Sequence, residues 1–101
     1  MEVNEFAKFV LDNLTRATIG NTLNISNKLD CSDYYKFTDF LEEIQKYTEK
    51  LLLDGFDKNK CYEILVLVNK TLKKYKSEVK YNKTYIINDF VIDLWRIMNG
   101  H

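Results

Sequence analysis

The sequence predicts an all-α protein: an antiparallel four-helix bundle, up-down-up-down, with a longer loop or a short extra helix between the first two helices. Three observations predict it. Apolar residues recur at i, i+3, i+4 and i+7 through nearly the whole chain, which is the period of helices with one buried face. Cap and stop signals punctuate the stretches, with Ser32 and Asp57 at helix starts and Gly55 and Gly100 at helix ends. The chain is 101 residues long with 46% hydrophobic and 14% aromatic residues, enough for one core and one domain over residues 1–101 without a disulfide or metal.

The first helix carries Val3, Phe6, Val10, Leu14 and Ala17 on one face and stops near Gly20. Residues 21–31, NTLNISNKLDC, read either as a long loop or as a short extra helix buried through Leu23, Ile25 and Leu29. In the second helix Phe37, Phe40, Leu41, Ile44, Thr48, Leu51 and Leu52 form the apolar stripe, and charged residues fill the other face. Ser32 is the expected N-cap, because its hydroxyl can accept from a free backbone N–H. The stop is Leu53-Asp54-Gly55-Phe56. There Gly55 takes the left-handed conformation and Phe56 folds back on the last turn. Asp57 caps the third helix, and so short a connection implies antiparallel neighbours.

The third helix shows Cys61, Ile64, Leu65, Val68, Leu72 and Tyr75 as one stripe, widened by Val66 and Leu67. That breadth makes it the most central helix. The fourth carries Ile86, Ile87, Phe90, Val91, Leu94, Ile97 and Met98 and ends at Gly100. Trp95 reads as core or half-buried edge packing, with an exposed binding anchor as the alternative.

Composition narrows the function classes. No apolar run approaches the 18 or so residues of a membrane span. The N-terminal MEVNEFAKFVLDN carries acids where a secretory signal needs lysine or arginine. The expected location is cytoplasmic. Asn, Lys, Ile and Tyr are abundant while arginine is scarce, a bias that suits an AT-rich source such as a low-GC bacterium, its phage or a plasmid. Cys31 and Cys61 are far apart in sequence and the single histidine is His101. No metal site can be built from that set, and no cofactor motif is present.

One segment stands out by charge. Residues 70–83, KTLKKYKSEVKYNK, hold six lysines and one glutamate in a chain of zero formal net charge. Lys70, Lys73 and Lys74 share a helix face at i, i+3 and i+4, with Lys76 rotated away. Lys80 and Lys83 fall in the turn or at the start of the fourth helix. Lysines in a last helical turn complement the helix dipole, each by roughly 0.3–1 kcal/mol, so a solvated helix end explains much of the pattern. The functional reading is a contact surface for an acidic protein or a membrane surface, formed by Lys70, Lys73, Lys74, Lys76, Lys80, Tyr81, Lys83 and Tyr85. Tyrosines among lysines suit protein interfaces. They also suit single-stranded nucleic acid, but the segment lacks arginine, the usual base reader, and the domain carries no positive excess.

Catalysis finds little to work with. Arg96-Ile97-Met98-Asn99-Gly100-His101 fits R-x4-H and resembles the ribonuclease motif of the HEPN helical family, in which the pair would activate and stabilise attack by a 2′-hydroxyl. Here an apolar residue follows the arginine where that family prefers a polar one, and His101 lies past a glycine with nothing to hold it at catalytic precision. Glu42 and Glu43, adjacent on a helix, point in different directions and make a poor acid–base pair. The expectation is a non-enzyme.

The stretches YKFTDFLEEIQKYTEKL and VNKTLKKYKSEVKYNKTYIINDFVIDLWRI resemble the body of the pediocin-type (class IIa) bacteriocin immunity proteins, over about residues 34–98. The shared features are helix spacing, a lysine- and tyrosine-rich turn before the last helix, and an aromatic-aliphatic last helix. The resemblance implies cytosolic four-helix bundles that protect a producer cell from its own bacteriocin. They act from the cytoplasmic side on the bacteriocin-occupied mannose permease, a membrane sugar transporter. It also implies that specificity lies in the C-terminal half, here Lys70 to Lys83 and the fourth helix. The alternatives are a phage- or plasmid-encoded inhibitor or antitoxin covering a site on a soluble host enzyme, and a nucleic-acid-associated regulator.

Overall fold

The computed structural model describes residues 2–13, 28–29, 36–77 and 83–100. Four helices account for nearly all of them: α1 (Val3–Asn13), α2 (Phe37–Leu53), α3 (Lys58–Ser77) and α4 (Lys83–Met98). Each consecutive pair packs together. Leu29 is fully buried in the same core. Leu14, Ala17, Leu23, Ile25, Cys31 and Ser32 lie outside the described residues.

α2 begins later than the Ser32 cap implies. Lys36, in an extended conformation, occupies the N-cap position without a side-chain cap bond. Its other end matches expectation. Gly55 has φ +87°, the Phe56 N–H donates to the Leu51 carbonyl at 2.9 Å, and the Gly55 N–H donates to the Leu52 carbonyl at 3.2 Å. Those two bonds define a Schellman stop. Asp57 then accepts from the Lys60 N–H at 3.2 Å, the N-cap of α3.

Helix directions follow from side-chain contacts. Phe37 at the start of α2 meets Tyr75 near the end of α3, with ring centroids 5.0 Å apart. The Lys60 Nζ, near the start of α3, donates to the Met98 carbonyl at the end of α4, at 3.2 Å. So α2, α3 and α4 alternate, as a bundle with short turns should. α1 differs from the expected alternation. Phe6 in its first turn packs on Phe40 in the first turn of α2, at 5.5 Å. Asp12 near its end accepts from the Tyr47 hydroxyl at 3.1 Å. α1 therefore lies alongside α2 in the same sense. The reason is chain length: the segment from Leu14 to Lys36 can easily recross the ~17 Å of an eleven-residue helix.

Aromatic rings from all four helices converge in the core. Phe6, Phe37, Phe40, Tyr75 and Phe90 make five ring contacts at 5.0–6.4 Å. Phe90 meets both Phe37 and Phe40 edge-on, at 77° and 89°, the arrangement that sets ring edge against ring face. Further along, Val10, Leu11, Leu41, Ile44, Ile64, Val68, Val91 and Leu94 fill the interior. Thr48 is buried, and its hydroxyl donates to the Ile44 carbonyl at 2.7 Å, so its polar atom is satisfied.

Candidate functional site

α3 carries the features that point outward. Its buried residues are Cys61, Ile64, Val68, Thr71 and Tyr75. The spacing is three, four, three, four, a heptad seam, narrower than the stripe read from the sequence. Leu65 and Leu72 are only half-buried on one flank and Leu67 on the other, while Thr71 is inside. Val66 stands about half a turn from the seam and is 65% exposed. Tyr62, one turn before it, is 56% exposed.

The lysines continue that outward column. Lys70, Lys73, Lys74 and Lys76 are all exposed. None forms an ion pair with a described residue, the pairs there being Lys46–Glu43 and Arg96–Asp93. The Ser77 hydroxyl donates to the Lys74 carbonyl at 3.1 Å and closes the helix end. Lys70 and Lys74 share a small hollow with Asp89 and Asp93 of α4, so part of their field is met internally. Lys73 and Lys76 lack that neighbourhood. Lys83, the first residue of α4, is half-buried and stands 4.5 Å from the centre of the Tyr75 ring, a cation–π contact. Tyr75 is core, not surface. Tyr85 is 73% exposed. Lys80 and Tyr81 lie outside the described residues. Of the eight expected contact residues, then, Lys70, Lys73, Lys74, Lys76 and Tyr85 face solvent, and Lys83 is engaged within the fold.

A second feature was not visible as such in the sequence. Tyr62, Glu63, Val66, Leu67 and Lys70 of α3 and Ile97 of α4 line an open groove of about 420 Å³. The available signal was the i, i+4 pair Tyr62–Val66. It was masked because Val66 sits in the run Ile64-Leu65-Val66-Leu67-Val68, where every residue looks like core.

Two further groups among the described residues are engaged within the fold. Burial, with the nearby Asp57 charge adding to it, pushes the Cys61 thiol up, and a neutral buried thiol is a poor nucleophile. Arg96 pairs with Asp93 at 3.5 Å, and His101 lies outside the described residues. Among the described residues, no cluster of three His, Cys, Asp or Glu side chains could hold a metal, and no helix is long and apolar enough to cross a membrane. Trp95 is half-buried and packs against the core.

No family model, curated protein or solved structure matches the chain.

Proposed function

We propose that the chain is a small, non-catalytic, cytoplasmic binding protein, and that its binding serves bacteriocin immunity, the self-protection of a producer cell. The observation that supports this reading is the exposed cationic end of α3. Lys70, Lys73, Lys74 and Lys76 project there with Tyr85 exposed on the following helix. Exposed lysines without fixed carboxylate partners are available to an acidic surface and steer its approach. The partner on this reading is a protein: the bacteriocin-occupied sugar permease, approached from the cytoplasmic side. The resemblance of residues 34–98 to the immunity proteins supplies that identity. A nucleic acid is a poorer occupant, because residues 70–83 hold no arginine to read bases and the chain has no net positive charge to attract a polyanion.

The test is a tagged pull-down from nuclease-treated, detergent-solubilised cells of a low-GC host, with and without added bacteriocin. A stoichiometric permease retained only with bacteriocin is the expected result. A soluble enzyme retained instead would replace immunity with the inhibitor or antitoxin reading. Recovery of nucleic acid alone, when nuclease is omitted, would overturn protein binding altogether.

A further inference from the structure

The geometry points to the groove between α3 and α4 as the seat of an amphipathic helix of another protein, one whose apolar face ends in acidic residues. This rests on the protein-binding reading above and extends it from the lysines to an apolar half of the surface.

Three observations carry it. Tyr62 and Val66 stand in one column of α3, 56% and 65% exposed. Leu67 and Ile97 form the apolar floor beside them, with Glu63 and Lys70 at the rim. Such a trough between two antiparallel helices suits a third helix, read through anchors at i, i+3, i+4 and i+7. No sheet edge exists among the described residues to bind a strand. The column then turns cationic, from Val66 through Lys70 to Lys73. The surface is thus graded along the helix axis, apolar first and positive after, which fixes the direction of an occupant as well as its chemistry.

Charge also decides against a second copy of this chain. α3 carries six lysines and one glutamate. Two copies crossing antiparallel at Val66 would bring Lys58 of each beside Lys74 of the other, and Lys60 close to Lys73. Like charges so placed are unfavourable. Asp89 and Asp93 on the α4 side and Arg96 paired with Asp93 leave the net sign of this shoulder positive.

The probe is a synthetic amphipathic peptide of about eighteen residues, long enough for five helical turns. Leucines line one face and glutamates cluster at one end. A second peptide carries lysines in place of the glutamates. Isotope-labelled protein is titrated with each and the amide shifts followed. The expected result is saturable shifts at Tyr62, Val66, Leu67 and Ile97 with the acidic peptide. Affinity should fall about tenfold in Tyr62→Ala/Val66→Ser, an effect typical of losing aromatic anchors, and Lys70→Glu/Lys73→Glu should reverse the preference toward the basic peptide. All four positions are exposed, so both variants should retain their helical circular dichroism. Shifts confined elsewhere, equal affinity for both peptides, or no shifts at millimolar peptide would overturn the inference. So would a concentration-dependent dimer that Tyr62→Ala/Val66→Ser dissolves, or binding to anionic vesicles through the same residues without peptide binding. A protein partner captured equally by the wild type and Tyr62→Ala/Val66→Ser would sink the groove and leave the binding reading standing. Peptide seated in the groove without any protein partner in the pull-down would do the reverse.

Discussion

Phe37 is the residue whose removal should reveal most about the fold. It is fully buried and touches rings from three helices: Phe40 at 6.4 Å, Tyr75 at 5.0 Å and Phe90 at 5.6 Å. Truncation to alanine removes the transfer free energy of the ring and leaves a cavity, together about 3–5 kcal/mol. A domain of this size is stable by only about 5–15 kcal/mol, so Phe37→Ala should remove a large share of it. Phe37→Leu separates the two contributions. Leucine restores most of the apolar volume but none of the ring geometry, and each aromatic pair is worth about 0.5–1.5 kcal/mol beyond area. With three such pairs at the lower half of that range, the expected cost of Phe37→Leu is about 1.5–3 kcal/mol, less than that of alanine. Urea denaturation followed by circular dichroism gives both values by linear extrapolation. A loss below 1 kcal/mol for Phe37→Ala, or no loss for Phe37→Leu, would refute the aromatic junction as the centre of stability.

Three further outcomes are expected. Ile64→Ala should cost about 2–5 kcal/mol as a core truncation, while half-buried Leu65→Ala should cost about half as much. Equal midpoint shifts in urea would contradict the heptad seam. The Tyr47 phenol is raised above its ordinary value by burial, then by its hydrogen bond to Asp12 and the charges of Asp12 and Asp54. The neutral phenol is thus favoured in the native state, and this contribution is fully present below the ordinary tyrosine value of about 10. It is lost as pH rises through the native value, so Tyr47→Phe should flatten the alkaline fall in stability, and an unchanged alkaline slope would count against the contact. Lys73→Glu/Lys74→Glu should leave the helical signal intact, because both side chains are exposed; loss of helicity would show that they hold α3 together.

Helix existence was legible because period and punctuation agreed. The α2 stop was readable down to its hydrogen bonds, since only a glycine takes φ +87° without strain and Asp57 follows at the right distance to cap α3. Direction was less legible. A short connection fixes the sense of the next helix, but the long stretch before α2 does not, and α1 runs with α2. Faces failed where the code was degenerate. In Ile64-Leu65-Val66-Leu67-Val68 hydrophobicity alone cannot say which residues point inward. The seam is set by geometry, and it admits Thr71 while excluding Val66. The lysine surface was legible as composition, but its carboxylate neighbours Asp89 and Asp93 come from another helix. For the same reason, the groove formed with Ile97 emerges only once α3 and α4 are docked.

Lys83 is the lysine of this segment that the fold itself engages. It opens α4, where the positive end of the helix dipole opposes a cation by about 0.3–1 kcal/mol. The Tyr75 ring, 4.5 Å away, offsets that with a cation–π attraction of about 0.5–1 kcal/mol. The two effects nearly cancel, so Lys83→Gln should change stability by less than about 1 kcal/mol in the wild type. Tyr75→Leu keeps apolar bulk in the core but removes the ring. Lys83 is then left with only the unfavourable dipole, and Lys83→Gln in that background should stabilise. The double-mutant cycle should show a coupling of about 0.5–1 kcal/mol between the two positions. Zero coupling would mean that Lys83 is held by something other than the ring, and would return it to the free lysines of the surface. A measurable coupling instead separates the segment into two parts. Lys70, Lys73, Lys74 and Lys76 can be replaced at little cost to the fold, whereas Lys83 is tied to Tyr75 and through it to the aromatic core.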